Sequence, residues 1–353
     1  MEKPYKKKVL ITPLNWGLGH ATRCIPIINA LIKSNFIPII ASDGEALTLL
    51  QKEFPKLKFF KLPSYNITYP RNSKFFLIHF LLKILHFRKI FKTENRLVKD
   101  IVKAENIVGI VSDNRFGCYH PDIKSVYITH QLKVLAGLFT FLTSKIHQKI
   151  IKNFDTCWVP DDENHTYSGE LSKVSLHKIK INYLGVLSRF KYQEATLKYD
   201  YLILISGPEP ERSRLENLMI NTFKNTSKKV LLVQGKVETN QKIRCQNDID
   251  IFNYMTQNQL QQTIAESKVV IARSGYSTVM DLAVMGRKAF FIPTPGQTEQ
   301  LYLAKNLERQ KVAPFAFQHQ FKLTDLEILE KYLGFKKHPV SKKDLEESLE
   351  IFK

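Results

Sequence analysis

The sequence has few of the features that mark several large classes of protein. Its cysteines stand far apart, with no C-x-x-C pair: Cys24, Cys118, Cys157 and Cys245. A disulfide scaffold and a cysteine zinc site are therefore not expected, and a reducing compartment fits this usage. No run of about 18 uninterrupted apolar residues exists, which argues against a membrane-spanning helix. The N-terminal segment lacks the apolar core and cleavage site of a signal peptide, so we expect a cytoplasmic protein.

Acidic residues are scarce relative to basic ones. The 353 residues include 53 Lys+Arg and 33 Asp+Glu, which gives a formal net charge of +20. This excess fits a nucleic acid, an anionic membrane surface or a phosphate-bearing ligand as partner, and equally a general lysine bias. Hydrophobic residues make up 44% of the chain. That share excludes intrinsic disorder, and the length predicts two domains.

Short apolar runs rich in β-branched residues recur along the chain, with helical segments between them. Most runs are continuous rather than alternating, which predicts strands buried on both faces of parallel sheets. They form two series, at 7–13, 36–42, 107–113, 125–130 and 156–160, and at 200–206, 228–235, 268–274 and 288–293.

The segment 180–200 interrupts this rhythm, and we place a domain junction at about 186–199. The prediction is an α/β protein with two doubly wound, Rossmann-like domains, 1–188 and 189–353, that face each other across a cleft. The last helix is free to pack back on the first domain. In such sheets ligands bind just beyond the carboxyl ends of the strands.

The loop after the first predicted strand carries two glycines and a histidine. Gly17, Gly19 and His20 precede a helix that we expect to begin with Thr22 as its N-cap. Glycine lets the backbone approach a ligand, and a helix N-terminus favours an anion. A nicotinamide dinucleotide site with Asp43 at the ribose is a weaker interpretation, because the third glycine of that motif is absent. A further interpretation is a tight turn without a ligand, although a histidine at this place suits proton transfer.

A second glycine-containing turn follows the third strand of the second series. The backbone N–H groups and hydroxyls of Ser274, Gly275, Ser277 and Thr278 are expected to open a helix and to hold a phosphate. Asp281 lies on the same helix. In an alternative interpretation, Thr278 and Asp281 form a capping box, in which the acid bonds only the backbone.

The stretch from Arg273 to Asn306 resembles the C-terminal half of family 28 glycosyltransferases, and Gly17-Leu18-Gly19-His20 resembles the family's N-terminal Gly-Gly-His loop. The resemblance implies a GT-B fold whose C-terminal domain holds the sugar nucleotide. It also implies a UDP-sugar donor, no further cofactor, and inversion at the anomeric carbon. The residues between 45 and 180 carry little of this likeness.

Several donor-binding roles follow from the resemblance. It places Ser274, Gly275 and Ser277 at the diphosphate. Asp281 falls where the family has a glutamate for the ribose hydroxyls, and aspartate is one methylene shorter. Arg189 matches an arginine at the family's domain junction.

The resemblance is less close at four further positions. Glu299 and Gln300 fall on a pair of glutamines near the sugar, and the first of them is here an acid. In an alternative interpretation, Glu299 and Gln300 are solvent-exposed residues at the start of a helix. Gly207 is the one comparable residue of the family's Gly-Gly-Ser phosphate turn. Arg212 is expected to supply positive charge there, unless it is an ordinary helix-surface arginine.

Transfer of a sugar requires a stabilised diphosphate leaving group and a base for the acceptor hydroxyl. No spaced Asp-x-Asp pair stands at a strand end, so helix N-termini and arginine, without a metal, are expected to stabilise the diphosphate. The candidate bases are His20, Asp113 and His130. We favour His20, with Asp113 second. The alternatives are a salt bridge or turn of Asp113 with Arg115, and a capping or core role for His130.

The acceptor side is predicted from two apolar stretches that are bracketed by basic residues. Residues 71–92 are too short and interrupted to span a bilayer, but they could lie in the membrane interface or form a buried core helix. Residues 133–152 show the same mixture more weakly. Together with the net charge, they favour a lipid-linked, glycan or membrane-associated acceptor, at the inner face of the plasma membrane.

Three other functions are compatible with this sequence. A nucleotide-sugar epimerase shares the architecture but needs no acceptor. A basic nucleic-acid-binding protein is disfavoured, because the basic residues are dispersed and not interleaved with aromatic ones. A catalytically inactive relative that binds a ligand for regulation is the third.

Overall fold

The computed structural model of the chain describes residues 6–65, 76–135, 137, 140–174, 176, 179–236, 238–338 and 342–353, without the side chains of 76–85 and 342–343. The chain divides into two compact units. Unit 1 comprises Met1–Thr166, Glu170–Gly185 and Ser341–Lys353, and unit 2 comprises Tyr167–Gly169 and Val186–Val340. The sequence predicted a domain boundary after residue 188. This division into units does not test that boundary, which stays a prediction.

Unit 1 is built on a seven-stranded parallel sheet in the order β3-β2-β1-β4-β5-β6-β7. The strands are β1 (Lys8–Pro13), β2 (Ile37–Ser42), β3 (Lys58–Lys61), β4 (Ile107–Asp113), β5 (Lys124–Ile128), β6 (Thr156–Val159) and β7 (Lys180–Tyr183). Its described helices are α1 (Gly19–Lys33), α2 (Gly44–Glu53), α3 (Phe76–Glu105), α4 (Thr140–Ile151) and α9 (Lys342–Ser348).

The strand order of unit 1 reverses between β1 and β4. These two strands are neighbours, and their register pairs Pro13 with Asp113 at the carboxyl end of both. The loops that follow β1 and β4 therefore emerge side by side at the topological switch point, where doubly wound sheets bind their ligands. Val9, Leu10 and Ile11 are fully buried, as expected for a strand covered on both faces.

Unit 2 is built on a six-stranded sheet in the order β10-β11-β9-β8-β12-β13. Its strands are β8 (Tyr199–Leu204), β9 (Val230–Val233), β10 (Ile243–Gln246), β11 (Ile249–Phe252), β12 (Ser267–Ala272) and β13 (Lys288–Phe291). The pair β10–β11 is antiparallel and the other pairs are parallel. Its described α-helices are α5 (Glu211–Thr222), α6 (Gln257–Ala265), α7 (Tyr276–Met285) and α8 (Thr298–Arg309), and a 3-10 helix spans Leu323–Lys331.

The predicted α/β class is confirmed, since both sheets are dominated by parallel strands with helices between them. All nine predicted strands are present, with no end shifted by more than two residues. Four further strands were not predicted, each of four residues: β3, β7, β10 and β11. The prediction that the segment containing β7 is an interruption is wrong, because a short strand with partly exposed residues lacks the continuous apolar signal.

The C-terminal residues 342–353 belong to unit 1. The Phe352 ring makes edge contacts with Phe36 and Trp158, at centroid distances of 6.4 and 6.2 Å. Gly109 on β4 makes room for it, because a Cβ there would stand 2.1 Å from the Phe352 ring. A methyl group at that distance would overlap the ring, so the close approach requires glycine.

The apolar stretch 71–92 lies partly on α3 and partly outside the described residues. Residues 71–75 fall outside them, as do the side chains of 76–85. Ile90 is buried, and Phe87 and Phe91 pack with it against Leu14 and Tyr65. The apolar side chains at the described end of the stretch therefore pack in the core, whereas the basic side chains between them are exposed. None of the helices in the described part of the chain is long and apolar enough to cross a membrane.

Candidate active site

The switch point of unit 1 brings together four side chains that are distant in sequence. His20 Nδ1 lies 2.8 Å from Asp113 Oδ1, and Arg23 Nε donates to Asp113 Oδ2 at 2.5 Å. Arg23 also donates to Asp113 Oδ1, and its Nη1 lies 3.1 Å from His130 Nδ1. Asp113 is fully buried, whereas the His20 side chain is 14% exposed. In this cluster His20 is the side chain that retains access to solvent.

The charge of Asp113 decides how the histidine is held. Burial by itself raises the pKa of Asp113, but the Arg23 guanidinium and His20 outweigh it and hold the pKa well below its usual range. An ionised carboxylate only accepts hydrogen bonds, so a proton on His20 Nδ1 is directed at Asp113. In the neutral imidazole with this tautomer, the lone pair lies on His20 Nε2. Arg23 Nη2 stands 2.7 Å from the same Nδ1, but it cannot accept a hydrogen bond and already donates to Asp113.

These contacts revise two expectations for the switch point. The salt bridge of Asp113 with Arg115, considered as an alternative, is wrong, because Asp113 binds His20 and Arg23 instead. A buried, firmly ionised carboxylate suits a positioning role better than the role of base for which Asp113 was second choice. His130 is 6% exposed and contacts Arg23, which agrees with the core histidine considered as its alternative.

Arg115 instead anchors the loops beneath the site. It is fully buried and donates from Nη1 to Glu94 Oε1 at 2.8 Å, from Nη2 to Asp43 Oδ1, and from Nε to the Pro13 carbonyl at 2.9 Å. Asp43 is therefore bound by an arginine, which argues against its predicted ribose-binding role in the dinucleotide interpretation. The network joins the ends of β1 and β2 to α3, so it fixes the base of the first loop.

Arg23 was missed by the sequence analysis because the helix was expected to start at Thr22. The helix begins at Gly19, and Thr22 is not its N-cap; the Thr22 hydroxyl donates to the Gly19 carbonyl at 3.0 Å. With the correct start, His20 and Arg23 stand three residues apart on one helix face. The three-residue spacing of His20 and Arg23 is visible in the sequence. What the sequence did not show is that the helix already begins at Gly19.

A separate candidate site lies in unit 2, at the turn before α7. Gly275 is the N-cap of α7, and Ser277 and Thr278 lie half-buried in its first turn. The first N–H groups of a helix have no acceptor within it, so this end favours an anion. Ser274 is buried, and its hydroxyl donates to the Gln300 carbonyl at 2.7 Å. Ser274 thus ties the turn to the first turn of α8.

The loops after β8 and β13 meet near the same edge of the sheet. Gly207 has a φ of +102°, and a Cβ there would stand 3.4 Å from Thr294 Oγ1. The Gln300 side chain accepts from the Thr294 N–H at 2.8 Å and donates to Gln297 Oε1 at 2.6 Å. Gln300 therefore braces the loop, and Glu299 lies half-buried beside it in the first turn of α8.

Asp281 is held by two residues that precede β8. The Ser188 hydroxyl donates to Asp281 Oδ1, and Arg189 Nε lies 3.9 Å from Asp281 Oδ2. The capping box predicted as an alternative with Thr278 is wrong, because α7 begins at Tyr276 and has no side-chain cap. Burial raises the pKa of Asp281 to about 6, against the opposing effects of Arg189 and Ser188.

Two arginines supply positive charge to this part of unit 2. Arg273 is 1% exposed and donates to the carbonyls of Ile292 and Pro293 at 3.0 and 3.2 Å. Burial lowers the pKa of Arg273 to about 10, so it remains a cation at neutral pH, next to the turn that starts at Ser274. Arg212, the predicted phosphate ligand, donates from Nε to Glu209 Oε1 at 3.0 Å.

The raised pKa of Asp281 predicts opposite effects of Asp281→Asn on stability and on ligand binding. Since the folded-state pKa of about 6 exceeds the usual value of 3.8, the folded state binds the proton more tightly. This stabilising contribution is complete below about pH 4 and is lost as the pH rises through about 6. At pH 7.5 the neutral variant should therefore be more stable than the native protein by roughly 1–3 kcal/mol of unfolding free energy, and it should unfold at a higher temperature. At pH 4 the two proteins should unfold at the same temperature.

Calorimetric scans of both proteins at pH 4 and pH 7.5 check this expectation. Binding of UDP to Asp281→Asn should be weakened at pH 7.5, because an amide replaces the carboxylate that was predicted to accept from the ribose. A variant that is less stable than the native protein at pH 7.5 would contradict the stability argument.

Comparison with known proteins bears on both units. Residues 211–345 match the family model described as the glycosyltransferase family 28 C-terminal domain. Over 324 residues, the chain is 26% identical to the UDP-N-acetylglucosamine–N-acetylmuramyl-(pentapeptide) pyrophosphoryl-undecaprenol N-acetylglucosamine transferase of Buchnera aphidicola subsp. Schizaphis graminum, with 89% of this chain and 86% of that protein covered. This chain is a glycosyltransferase that resembles family 28.

The transferase shares its fold with solved glycosyltransferases. The kitacinnamycin glycosyltransferase superposes with a TM-score of 0.64 at 10% identity, covering 99% of this chain and 95% of that one. Acinetobacter baumannii MurG superposes with a TM-score of 0.54 at 11% identity, again over 99% and 95% of the two chains. The predictions of a GT-B fold and of a glycosyltransferase are confirmed. The roles assigned to individual residues of the transferase stay predictions.

Proposed function

We propose that the protein transfers a sugar from a UDP-sugar to a lipid-linked acceptor, with inversion at the anomeric carbon and without a metal. The observation that carries the proposal is the contact between His20 and the ionised Asp113 at the switch point of unit 1. Asp113 fixes the imidazole and its tautomer, and Nε2 takes the proton of the acceptor hydroxyl. The acceptor oxygen then attacks the anomeric carbon as the bond to the diphosphate breaks.

Unit 2 binds the donor in this proposal. The N-terminus of α7 with Ser274 and Gly275 receives the diphosphate, and the buried charge of Arg273 adds a positive potential close to it. Asp281 accepts hydrogen bonds from the ribose. The N-terminus of α7 and Arg273 stabilise the negative charge of the departing UDP, which is the task that a metal ion performs in other transferases.

The acceptor is proposed from the curated relative and from an exposed surface of unit 1. The name of that relative specifies a pyrophosphoryl-undecaprenol acceptor and N-acetylglucosamine as the sugar. On α4, Phe141, Leu142 and Ile146 are 73%, 53% and 40% exposed. Lys145 lies over the Phe141 ring, with Nζ 4.7 Å from its centroid. Apolar side chains beside lysines suit the interface of an anionic membrane, where such an acceptor resides.

The function is tested by following UDP release and product formation with UDP-N-acetylglucosamine and a short-chain N-acetylmuramyl pyrophosphoryl lipid. We expect a product of inverted anomeric configuration, formed equally well with a chelator present. Incubation with the donor alone separates the alternatives, because formation of an epimer without acceptor would replace the transferase proposal by an epimerase. A thermal shift with UDP, and not with other nucleoside diphosphates, would support the donor class.

Membrane binding should depend on the exposed apolar residues of α4. The double variant Phe141→Ser, Leu142→Ser is expected to partition onto anionic vesicles at least about tenfold more weakly, because two side chains no longer leave water. Co-flotation with vesicles of phosphatidylglycerol and phosphatidylcholine at low salt measures this.

Leu333 in unit 2 provides a matched control, since it is 72% exposed. Leu333→Ser should float like the native protein. Equal flotation of the α4 variant and this control would rule out α4 as the membrane contact. The transfer reaction would then be tested separately, with the short-chain acceptor.

A further inference from the structure

The chain contains two tryptophans in very different surroundings. Trp158 on β6 is fully buried, whereas Trp16 in the loop between β1 and α1 is 42% exposed. Indole is a large, mostly apolar group, and such groups dominate the energetics of binding surfaces when they become covered. Trp16 also stands in the loop that leads into α1, four residues before His20 in the first turn of that helix.

The backbone on the N-terminal side of Trp16 is fixed by Asn15. Asn15 Nδ2 donates to Asp43 Oδ2 at 3.2 Å, and Asn15 Oδ1 accepts from the Ala46 N–H at 3.3 Å. The approach is so close that a Cβ at Gly44 would stand 2.2 Å from Asn15 Nδ2. Asp43 is held in turn by the buried Arg115, so this end of the loop rests on the rigid network beneath the site.

The C-terminal side of the loop is fixed by the start of α1. The Thr22 N–H donates to the Leu18 carbonyl at 2.9 Å, and the Thr22 hydroxyl donates to the Gly19 carbonyl. Between the two anchors, Gly17 has a φ of +75°, and no atom lies within 4 Å of the position a Cβ would occupy. The loop therefore presents Trp16 beside open space on a backbone held at both ends.

The distance to His20 suits contact with an acceptor. Four virtual bonds of about 3.8 Å place the Cα atoms of Trp16 and His20 at most about 15 Å apart, and the loop shortens this. An acceptor whose hydroxyl contacts His20 thus extends within reach of the indole. We propose that Trp16 binds the acceptor, with its indole packed against the C–H face of the acceptor sugar next to the reacting hydroxyl; this rests on the proposed transferase function.

The proposal is tested by the kinetics of Trp16→Ala and Trp16→Phe. With Trp16→Ala, the KM for the N-acetylmuramyl pyrophosphoryl lipid should rise about tenfold. The KM for the UDP-sugar and the thermal shift with UDP should stay unchanged. Trp16→Phe should recover most of the loss, because it restores an aromatic face. Phe317→Ala is the matched control, since this aromatic residue of unit 2 is 41% exposed.

Fluorescence tests the inference without requiring turnover. Because Trp158 is buried, an added ligand that covers the loop should change the emission of Trp16 alone, and the change should vanish in Trp16→Phe. We expect a response to the sugar-bearing lipid and none to the same pyrophosphoryl lipid without the sugar.

The outcomes separate the inference from the proposed function. Transfer with a native acceptor KM in Trp16→Ala and no emission change would overturn the role of Trp16 and leave the transferase proposal standing. An equal response to the sugar-free lipid would also overturn it, because the indole would then cover the chain and not the sugar. Absence of transfer together with a sugar-dependent emission change would support acceptor binding at Trp16 while the transfer reaction failed.

Discussion

His20→Gln is expected to lower kcat by about 10²–10⁴-fold, with little change in the KM for the UDP-sugar. The glutamine is similar in size but cannot take a proton from the acceptor hydroxyl. In the proposed function the donor is bound by unit 2, so the loss should appear in the transfer step and not in donor binding. Single-turnover measurements of UDP release at saturating substrates check this directly.

The control for this variant is another histidine of similar exposure in unit 1. The His120 side chain is 16% exposed, against 14% for His20. His120→Gln should retain native kcat, and both variants should melt close to the native temperature. Native turnover of His20→Gln would rule out His20 as the base and return the assignment to the other candidates.

Asp113→Asn tests the way the imidazole is held. Arg23 binds both carboxylate oxygens of Asp113 and His20 binds one of them, so the amide must place its NH₂ against a hydrogen-bond donor. We expect the His20 tautomer to be disturbed and kcat to fall by a similar factor, about 10²–10⁴-fold. Nitrogen NMR shifts of the His20 ring report the tautomer separately from any loss of stability.

Arg115→Met is expected to destabilise unit 1 by about 3–5 kcal/mol. Arg115 and Glu94 are fully buried and Asp43 nearly so, and removal of the guanidinium leaves two carboxylates in the interior without a cation. A change of this size corresponds to a fall in the melting temperature of roughly 6–20 °C for a domain of this size. Urea unfolding, followed through Trp158 in a Trp16→Phe background, measures it in unit 1.

The matched variant is Arg96→Met, which removes an exposed arginine from α3, the helix that carries Glu94. It should leave the urea midpoint unchanged. Arg115→Lys should fall between the two, because the lysine keeps the charge but loses the fork that binds both carboxylates and the carbonyls of Pro13 and Pro63. A midpoint for Arg115→Met equal to that of Arg96→Met would show that the buried network contributes no net stability.

Much of the fold followed from the sequence because buried parallel strands carry a strong local signal. β4 was predicted at its observed bounds, and α7 ends at Met285, followed by Gly286 as its C-cap with a φ of +60°. The four missed strands are short and carry partly exposed residues, so their pairing depends on neighbours that the local pattern does not show. The glycine turn before α7 was located correctly, since strand, turn and helix follow each other directly in the chain. The turn before α1 is shorter than predicted, because Gly19 and His20 already belong to the helix.

The sequence by itself therefore determined the two parallel sheets, the glycine turns at their edges and the resemblance to family 28. Only the tertiary structure decided which side chains meet. Asp113 binds His20 and Arg23 because β1 and β4 are neighbours in register, although about 90 residues separate them. Arg115, two residues from Asp113, instead binds Asp43 and Glu94. Partners are set by strand order and by the start of a helix, and neither is recorded in the spacing of residues along the chain.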